Sequence, residues 1–244
     1  MPVADLRAVF FDIDDTLFST TEFAAMARRN ALKAMIDVGL NISLEDGLRE
    51  LGEVITEFTS NYPHHFDKLL LRLPESATRG LNRAVLVAAG MVAYHDAKFR
   101  RLRPFPDVLP FLRRLARTPV LRGVITDGVE IKQAEKLLRL RVYPLLSPGG
   151  VFISDQIGIA KPNPKLFERA CSEMRVAPRD ALLVGDHPAK DIDPANAVGM
   201  VTVLVDRGGR HASAGGKTAP RFRVRDFHQL LNLLRKQYKL RIPS

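Results

Sequence analysis

An apolar run near the N-terminus ends abruptly in acidic residues. Residues 9–11 read Val-Phe-Phe, and Asp12, Asp14 and Asp15 follow directly. A short apolar run that ends at a turn is typical of a strand buried on both faces, as in a parallel sheet covered by helices. Open α/β sheets bind ligands at the carboxyl ends of their strands. Because crowded carboxylates repel one another unless a cation or proton compensates them, we expect a metal-assisted reaction on an anionic substrate, with a solvated acidic turn as the alternative.

Four more apolar segments share the strand pattern, and helical periodicity separates most of them. Asn163 predicts one helix start, since Asn is a favoured cap and Pro164 suits the first helical position. Asp226 predicts the last helix, with Gln229 as its capping-box partner. This alternation indicates an α/β fold with a doubly wound, Rossmann-like parallel sheet. The predicted strands are 8–11, 121–125, 150–153, 181–184 and 201–205.

Residues 18–103 interrupt the alternation of strands and helices. They contain no strand pattern, and their apolar residues recur at helical spacing in four segments, the second starting at Ser43. We interpret these apolar stripes as helix packing rather than as a cofactor site. A chain of 244 residues can hold one domain with a smaller insertion. We therefore predict an α/β core from 1–17 and 104–244 and an all-helical insertion at 18–103.

The chain is strongly basic, with a formal net charge of +10 and a sequence pI near 10.0. Many of the basic residues fall after position 206. Nucleic-acid binding is one interpretation, but aromatic residues are sparse there and no helix-turn-helix, zinc or RNP pattern occurs. The sequence favours the other interpretation, a solvated basic surface whose positive field steers phosphorylated substrates inward.

The single cysteine, Cys171, lies in a helical pattern and is predicted to be buried, with no possible internal disulfide. No signal peptide is recognisable, and no apolar stretch approaches the roughly 20 residues of a membrane-spanning helix. We therefore expect a cytoplasmic protein that does not interact with membranes. Both a monomer and a homodimer are compatible with the sequence.

Polar motifs at or near strand ends occur in a fixed order along the chain. In that order and placement they resemble the haloacid dehalogenase-like hydrolase superfamily. That superfamily has DxDxT after a strand, Thr or Ser after a second strand, Lys before Pro, and GDxxxxD. The resemblance covers nearly the whole chain, and the helical insertion after the first motif is similar to the superfamily's helical cap. The matching residues are Asp12, Asp14 and Thr16, then Thr126, then Lys161-Pro162, then Gly185-Asp186 with Asp191.

The resemblance implies a role for each motif residue. Asp12 is the expected nucleophile, which forms an aspartyl-phosphate, and Asp14 the expected general acid–base. Thr126 and Lys161 are expected to bind the phosphoryl group. Mg²⁺ is the expected cofactor, because it prefers oxygen ligands and tolerates substrate in its shell. Its implied ligands are Asp12, the backbone carbonyl of Asp14, and Asp186, with Asp191 as a further ligand or a neighbouring acid.

The predicted activity is hydrolysis of a small phosphorylated metabolite. Asp14 favours a phosphatase over a dehalogenase, because a departing halide needs no proton. A phosphomutase or a nucleotidase of the same superfamily is an alternative, as is a non-catalytic nucleic-acid or partner-binding module that uses the basic C-terminal third. Asp127 departs from many relatives, which carry Asn there, and receives no role. Sugar phosphates, triose phosphates, phosphoglycolate and nucleotides all stay open as substrates.

Overall fold

The computed structural model describes residues 5–208, 211 and 214–240. These residues form two compact units. One contains the described residues up to Thr21 and from Arg103 onward, and the other is Glu22–Leu102. The boundaries expected from the sequence, at 17/18 and 103/104, stay a prediction about domains. The outermost parts of the predicted core, 1–4 and 241–244, lie outside the described residues.

The first unit is built on a parallel sheet of six strands in the order β3-β2-β1-β4-β5-β6. The predicted fold class is therefore confirmed, and all five predicted strands are present. A sixth, at the edge, was not predicted, because it has only three residues and its middle one is an exposed arginine. The strands are β1 (Ala8–Phe11), β2 (Leu121–Thr126), β3 (Val151–Ile153), β4 (Ala181–Gly185), β5 (Val201–Val205) and β6 (Phe222–Val224).

The register of the three central strands brings their carboxyl ends together. Phe11, the last residue of β1, is level with Val124 of β2 and Val184 of β4. The Asp12 N–H continues the ladder by donating to the Val184 carbonyl at 2.9 Å. The segments that follow these strands therefore begin at one edge of the sheet, the edge at which α/β folds bind ligands.

Helices of the first unit separate the first five strands, and two of these helices begin at the caps predicted from the sequence. The Asn163 side chain accepts the Lys165 N–H at 3.1 Å, and Asp226 accepts the Gln229 N–H at 2.7 Å. The segment after β4 begins with a π-helical turn, Pro188–Ile192, which continues into an α-helix. The helices are α6 (Val108–Leu115), α7 (Glu130–Arg139), α8 (Ser154–Ile157), α9 (Pro164–Glu173), α10 (Asp193–Ala197) and α11 (Phe227–Tyr238).

Aromatic packing and a buried ion pair attach α11 to this unit. Phe227 stacks on Phe11 with ring centroids 5.8 Å apart. Asp107 accepts the Phe227 N–H at 2.6 Å and pairs with Arg207 at 3.0 Å. On α9, Cys171 is buried in a core cluster with Phe10 and its neighbours, as predicted.

The second unit is entirely helical in its described residues and has its own core. Ser43 caps the second helix, as predicted, by accepting the Asp46 N–H at 3.0 Å. The four predicted helices are present, together with one additional single-turn helix. Leucines dominate the core, with Leu32, Leu51 and Leu69 almost fully buried. The helices are α1 (Thr20–Asp37), which starts in the first unit, α2 (Leu44–Phe58), α3 (His65–Arg72), α4 (Glu75–Thr78) and α5 (Arg83–Arg101).

Across the part of the chain that the structure describes, no helix is both long and apolar enough to traverse a bilayer.

Candidate active site

A buried lysine connects two acids at the carboxyl edge of the sheet. The Lys161 ammonium lies 2.7 Å from Asp12 Oδ1 and 2.6 Å from Asp191 Oδ1. The lysine side chain is only 2% exposed, and the two aspartates are 10% and 2% exposed. Asp12 directly follows β1, and Lys161 lies between α8 and α9. Buried charges need such partners, so Lys161 both compensates these acids and is held by them.

Asp186 completes a cluster of three carboxylates with Asp12 and Asp191. One oxygen from each lies within 4.8 Å of the others. Asp191 is held in place by the His187 N–H, which donates to its Oδ2 at 3.1 Å. Gly185 permits this approach, because a Cβ there would lie 2.5 Å from Asp191 Oδ2. Asp186, directly after β4, and Asp191, in the π-helical turn Pro188–Ile192, therefore contribute to the same acidic site.

Burial and mutual repulsion disfavour ionisation of all three carboxylates of the cluster at the same time. Burial, and then the neighbouring Asp12 and Asp191, raise the pKa of Asp186 to about 8. Burial also raises the pKa of Asp12 to about 7, against the opposing effect of Lys161. Desolvation disfavours the lysine's charge, but Asp12 and Asp191 outweigh it and raise the pKa of Lys161. One ammonium group does not neutralise three acids.

The donor set suits a hard divalent cation. Asp12, Asp186 and Asp191 offer only carboxylate oxygens, and no sulfur or imidazole belongs to the cluster. Mg²⁺ binds such oxygens and needs few protein ligands, because water and substrate complete its shell. A cation would also relieve the repulsion that raises the pKa of Asp186. These residues therefore fit the predicted metal, while the identity of the ion stays a prediction.

The second acid of the first motif has a different environment. Both oxygens of Asp14 contact the Lys136 ammonium, at 2.6 and 2.7 Å, and Thr20 Oγ1 donates to Oδ1 at 2.6 Å. Burial opposes ionisation, but Lys136, Thr20 and Gln133 outweigh it and lower the pKa of Asp14. The Asp14 side chain is thus held as a carboxylate, outside the three-acid cluster.

Gln133 links Asp14 to the end of β2. Its side-chain N–H group donates to Asp14 Oδ2 at 3.2 Å, to Thr126 Oγ1 at 3.0 Å and to the Asp127 carbonyl at 2.5 Å. Gln133, Lys136 and Thr20 were not predicted from the sequence. One signal was available for the glutamine, since it shares a helical stripe with the buried residues Leu137 and Leu140.

Asp127 directs its carboxylate toward the lysine loop. Its Oδ1 accepts the Lys161 N–H at 3.2 Å, and its Oδ2 lies 3.7 Å from the Lys190 ammonium. The side chain thereby links the segment after β2 to the backbone of the loop that carries Lys161.

The structure therefore brings the predicted site residues together in two groups. Asp12 and Lys161 belong to the group with Asp186 and Asp191, and Asp14 and Thr126 belong to the group joined by Gln133. Beside Asp186 lies a small cleft of about 20 Å³, the space of roughly one water molecule. Its lining residues are Asp15, Asp186, Leu204, Val205, Asp206, Arg207 and His211.

A sequence model of the haloacid dehalogenase-like hydrolase family matches residues 6–199, which span all four motifs. The protein belongs to this family. The superfamily resemblance inferred from the motifs is thereby confirmed.

Its relatives in the haloacid dehalogenase-like family include named phosphatases. The glyceraldehyde 3-phosphate phosphatase of Methanopyrus kandleri is 47% identical over 208 residues, which cover 83% of this chain and 85% of the relative. The enzyme of the same name from Methanocaldococcus jannaschii is 38% identical over 203 residues, covering 83% and 86%. The predicted enzyme class, a phosphatase of this family, is confirmed.

Solved structures of the family share the fold. A haloacid dehalogenase-like family hydrolase from Xanthomonas campestris superposes with a TM-score of 0.69 at 17% identity, covering 97% of each chain. A phosphatase of the family from Thermococcus onnurineus gives 0.66 at 23% identity, covering 93% of this chain and 97% of the other.

Proposed function

We propose that this protein is a Mg²⁺-dependent phosphatase that hydrolyses glyceraldehyde 3-phosphate, or a phosphorylated metabolite of similar size, through an aspartyl-phosphate. The observation that carries the proposal is the buried contact of Asp12 with Lys161 inside a three-carboxylate cluster. Two relatives at 47% and 38% identity that bear the name of this activity support the choice of substrate.

Asp12, Asp186 and Asp191, with the backbone carbonyl of Asp14, would hold the metal ion. When bound, Mg²⁺ supplies positive charge that offsets the negative charge of a phosphoryl group and its attacker. The protein contributes the geometry of the acids. Gly185 admits Asp191, and the His187 N–H fixes the orientation of its carboxylate.

In the first step an Asp12 oxygen attacks phosphorus, and the bond from phosphorus to the substrate oxygen breaks. Asp12 becomes an acyl phosphate, and the leaving oxygen takes a proton. Asp14, two residues along the same segment, is the group that we assign to deliver that proton. Because Lys136 holds Asp14 as a carboxylate in this structure, Asp14 must first take up a proton from solvent. Alkoxides are poor leaving groups, so proton transfer to the leaving oxygen is worth about 10²–10⁴-fold in rate.

In the second step water attacks the phosphorus of the aspartyl-phosphate and loses a proton to the Asp14 carboxylate. Inorganic phosphate leaves and the Asp12 carboxylate is restored. Lys161 stays beside Asp12 as a fixed positive charge that compensates charge on the phosphoryl oxygens. Thr126, whose hydroxyl is held by Gln133, is assigned to bind a phosphoryl oxygen.

The helical insertion, residues 18–103, is assigned the selection of the substrate. Support comes from its place in the chain, directly after the first motif. Its separate hydrophobic core within 22–102 supports a folded unit rather than a loop.

A phosphate-release assay tests the proposal. The panel contains glyceraldehyde 3-phosphate, phosphoserine, phosphoglycolate, a pyrimidine 5′-nucleotide and p-nitrophenyl phosphate, each with Mg²⁺ or with EDTA. We expect hydrolysis that requires Mg²⁺ and the highest kcat/KM for glyceraldehyde 3-phosphate. Higher kcat/KM for the nucleotide would replace the substrate assignment, and no release from any ester would refute the phosphatase.

A further inference from the structure

Helix α7 directs two side chains at Asp14, and neither belongs to the family's four motifs. The Lys136 ammonium contacts both carboxylate oxygens, at 2.6 and 2.7 Å. The Lys136 and Asp14 side chains are 22% and 27% exposed, so this ion pair is partly buried. Gln133, one helical turn earlier, donates to Asp14 Oδ2 at 3.2 Å. Two side chains of one helix therefore fix both oxygens of a single carboxylate.

Gln133 is itself held in place by its surroundings. The residue is 2% exposed, and its amide also donates to Thr126 and to the Asp127 carbonyl. Gly128 leaves room for it, because a Cβ there would lie 2.9 Å from Gln133 Nε2. Its Oε1 is buried and has no hydrogen-bond partner among the described residues. Such an orphaned acceptor costs stability and calls for a functional explanation.

We propose that Lys136 and Gln133 are positioning residues that hold the Asp14 carboxylate in one orientation relative to Thr126. The inference rests on the proposed function, in which Asp14 exchanges a proton with the leaving oxygen and with water. An aspartate near a site mouth has several staggered rotamers available, and only some direct the carboxylate at the phosphoryl group. Contacts to both oxygens select one of them, and misplacement of a reacting group by about 1 Å can cost on the order of 10²-fold.

The competing interpretation is an ordinary ion pair that stabilises the fold. Partly exposed pairs contribute about 0–1 kcal/mol, and removal of one has no reason to affect catalysis through Asp14 in particular. The two interpretations differ in how a change at Lys136 combines with a change at Asp14. Residues that act through one another give non-additive losses, whereas independent residues give additive ones.

The experiment compares kcat and KM of the Mg²⁺-loaded enzyme for Lys136→Met, Asp14→Asn and the double variant, with glyceraldehyde 3-phosphate as substrate. Lys132→Met, an exposed lysine on the same helix, is the matched control. We expect Lys136→Met to lower kcat roughly 10–100-fold with KM nearly unchanged, and to cause no further loss in the Asp14→Asn background. Lys136→Arg keeps a donor for both oxygens and restores part of kcat.

Two results would overturn the inference: equal losses from Lys136→Met in both backgrounds, or a kcat equal to that of Lys132→Met. An Asp14→Asn variant with wild-type kcat would instead refute the role of Asp14 in the proposed function. A crystal structure of Lys136→Met tests whether Lys136 orients the Asp14 carboxylate, even if the protein hydrolyses none of the esters. We expect the Asp14 side chain to adopt a new or second rotamer there. An Asp14 side chain unchanged from that of Lys132→Met would contradict the inference.

Discussion

Asp12 and its charged neighbours determine how this site responds to single substitutions. Asp12→Asn removes the attacking carboxylate but keeps the shape and a hydrogen-bond acceptor for Lys161. We expect turnover to fall by roughly 10⁴-fold or more, as for nucleophiles of other covalent enzymes. Phosphate release with Mg²⁺ measures this, and Asp5→Asn, an exposed acid, is the control. Turnover within tenfold of wild type, on the order of 1.4 kcal/mol, would exclude Asp12 as the nucleophile.

The raised pKa of Asp186 predicts how stability without metal depends on pH. Folding raises its pKa from 3.8 to about 8, so between those values the folded protein binds a proton that the unfolded chain has released. The contribution of Asp186 to the free energy of unfolding therefore falls as pH rises through this window. The measurement is urea unfolding in EDTA at several pH values for wild type and for Asp186→Asn. We expect the free energy of unfolding of wild type, relative to that of the variant, to decrease as pH rises from about 4 to about 8.

Mg²⁺ should reverse that trend, because it competes with the proton for the same oxygens. The gain in Tm on adding Mg²⁺ is expected to be larger near pH 8 than near pH 5. A difference between wild type and Asp186→Asn that is flat with pH in EDTA would contradict the raised pKa. A gain that is independent of pH would contradict binding at this cluster.

Single-residue reasoning from the sequence identified the motif acids but missed the residues that hold Asp14. Asp12, Asp186 and Asp191 follow strand ends, and the parallel sheet brings those ends together, so their meeting could be predicted. Lys136 and Gln133 lie 122 and 119 positions from Asp14. Glutamine and lysine on a helix ordinarily face water. The stripe shared with Leu137 and Leu140 indicates a buried Gln133, but the contact of Lys136 with Asp14 is visible only in the tertiary packing of α7.

At the scale of elements, the junction between β4 and the π-helical turn controls the metal site. Gly185→Ala would place a Cβ 2.5–2.7 Å from three side-chain atoms of Asp191, so the Asp191 side chain must shift from its present position. We expect the Mg²⁺ concentration for half-maximal activity to rise about 10–100-fold and stability to fall by about 1–3 kcal/mol. A Mg²⁺ titration of activity and a urea titration measure these effects.

Gly52→Ala is the matched control, because a Cβ at Gly52 has no neighbour within 4 Å and alanine favours its helix. An unchanged Mg²⁺ midpoint in Gly185→Ala would mean that Asp191 does not support the metal.

Elements with a strong local pattern were predictable from the sequence, and the exceptions have physical reasons. Asn163, Asp226 and Ser43 cap helices as their residue types favour. The edge strand β6 pairs on one side only and carries too few apolar residues for a periodicity. The π-helical turn at Pro188–Ile192 carries Asp191, whose contact with Lys161 joins distant segments and so appears in no local pattern.

At the scale of the whole molecule, the net charge of +10 should affect encounter with an anionic substrate. A positive field raises the local concentration of phosphate esters, and salt screens it over a Debye length of about 8 Å near 0.15 M. We expect kcat/KM to fall severalfold between about 0.02 and 0.3 M KCl, while kcat stays constant. Steady-state kinetics at fixed free Mg²⁺ measure both.

A kcat/KM that does not change with salt would show that the net positive charge does not attract the substrate to the site. The nucleic-acid module left open by the sequence predicts retention on DNA with a steep salt slope, and a retention assay at the same salt concentrations distinguishes the two.

The division into a sheet unit and a helical unit could be expected from the break in strand–helix alternation at residues 18–103. The sequence does not predict the contact of Asp107 with Arg207 and Phe227. These residues lie in three distant segments, and no repeat or motif relates those segments.

The burial of Cys171 makes the chain convenient for fluorescence work. Its thiol is 1% exposed, and burial raises its pKa to about 11, so a maleimide dye finds almost no thiolate there at neutral pH. A cysteine introduced at an exposed position such as Val85 or Ile131 would then carry the dye alone. One such site on each unit gives a donor–acceptor pair without removal of the native thiol, and energy transfer can report whether a phosphate analogue changes the spacing between the labels.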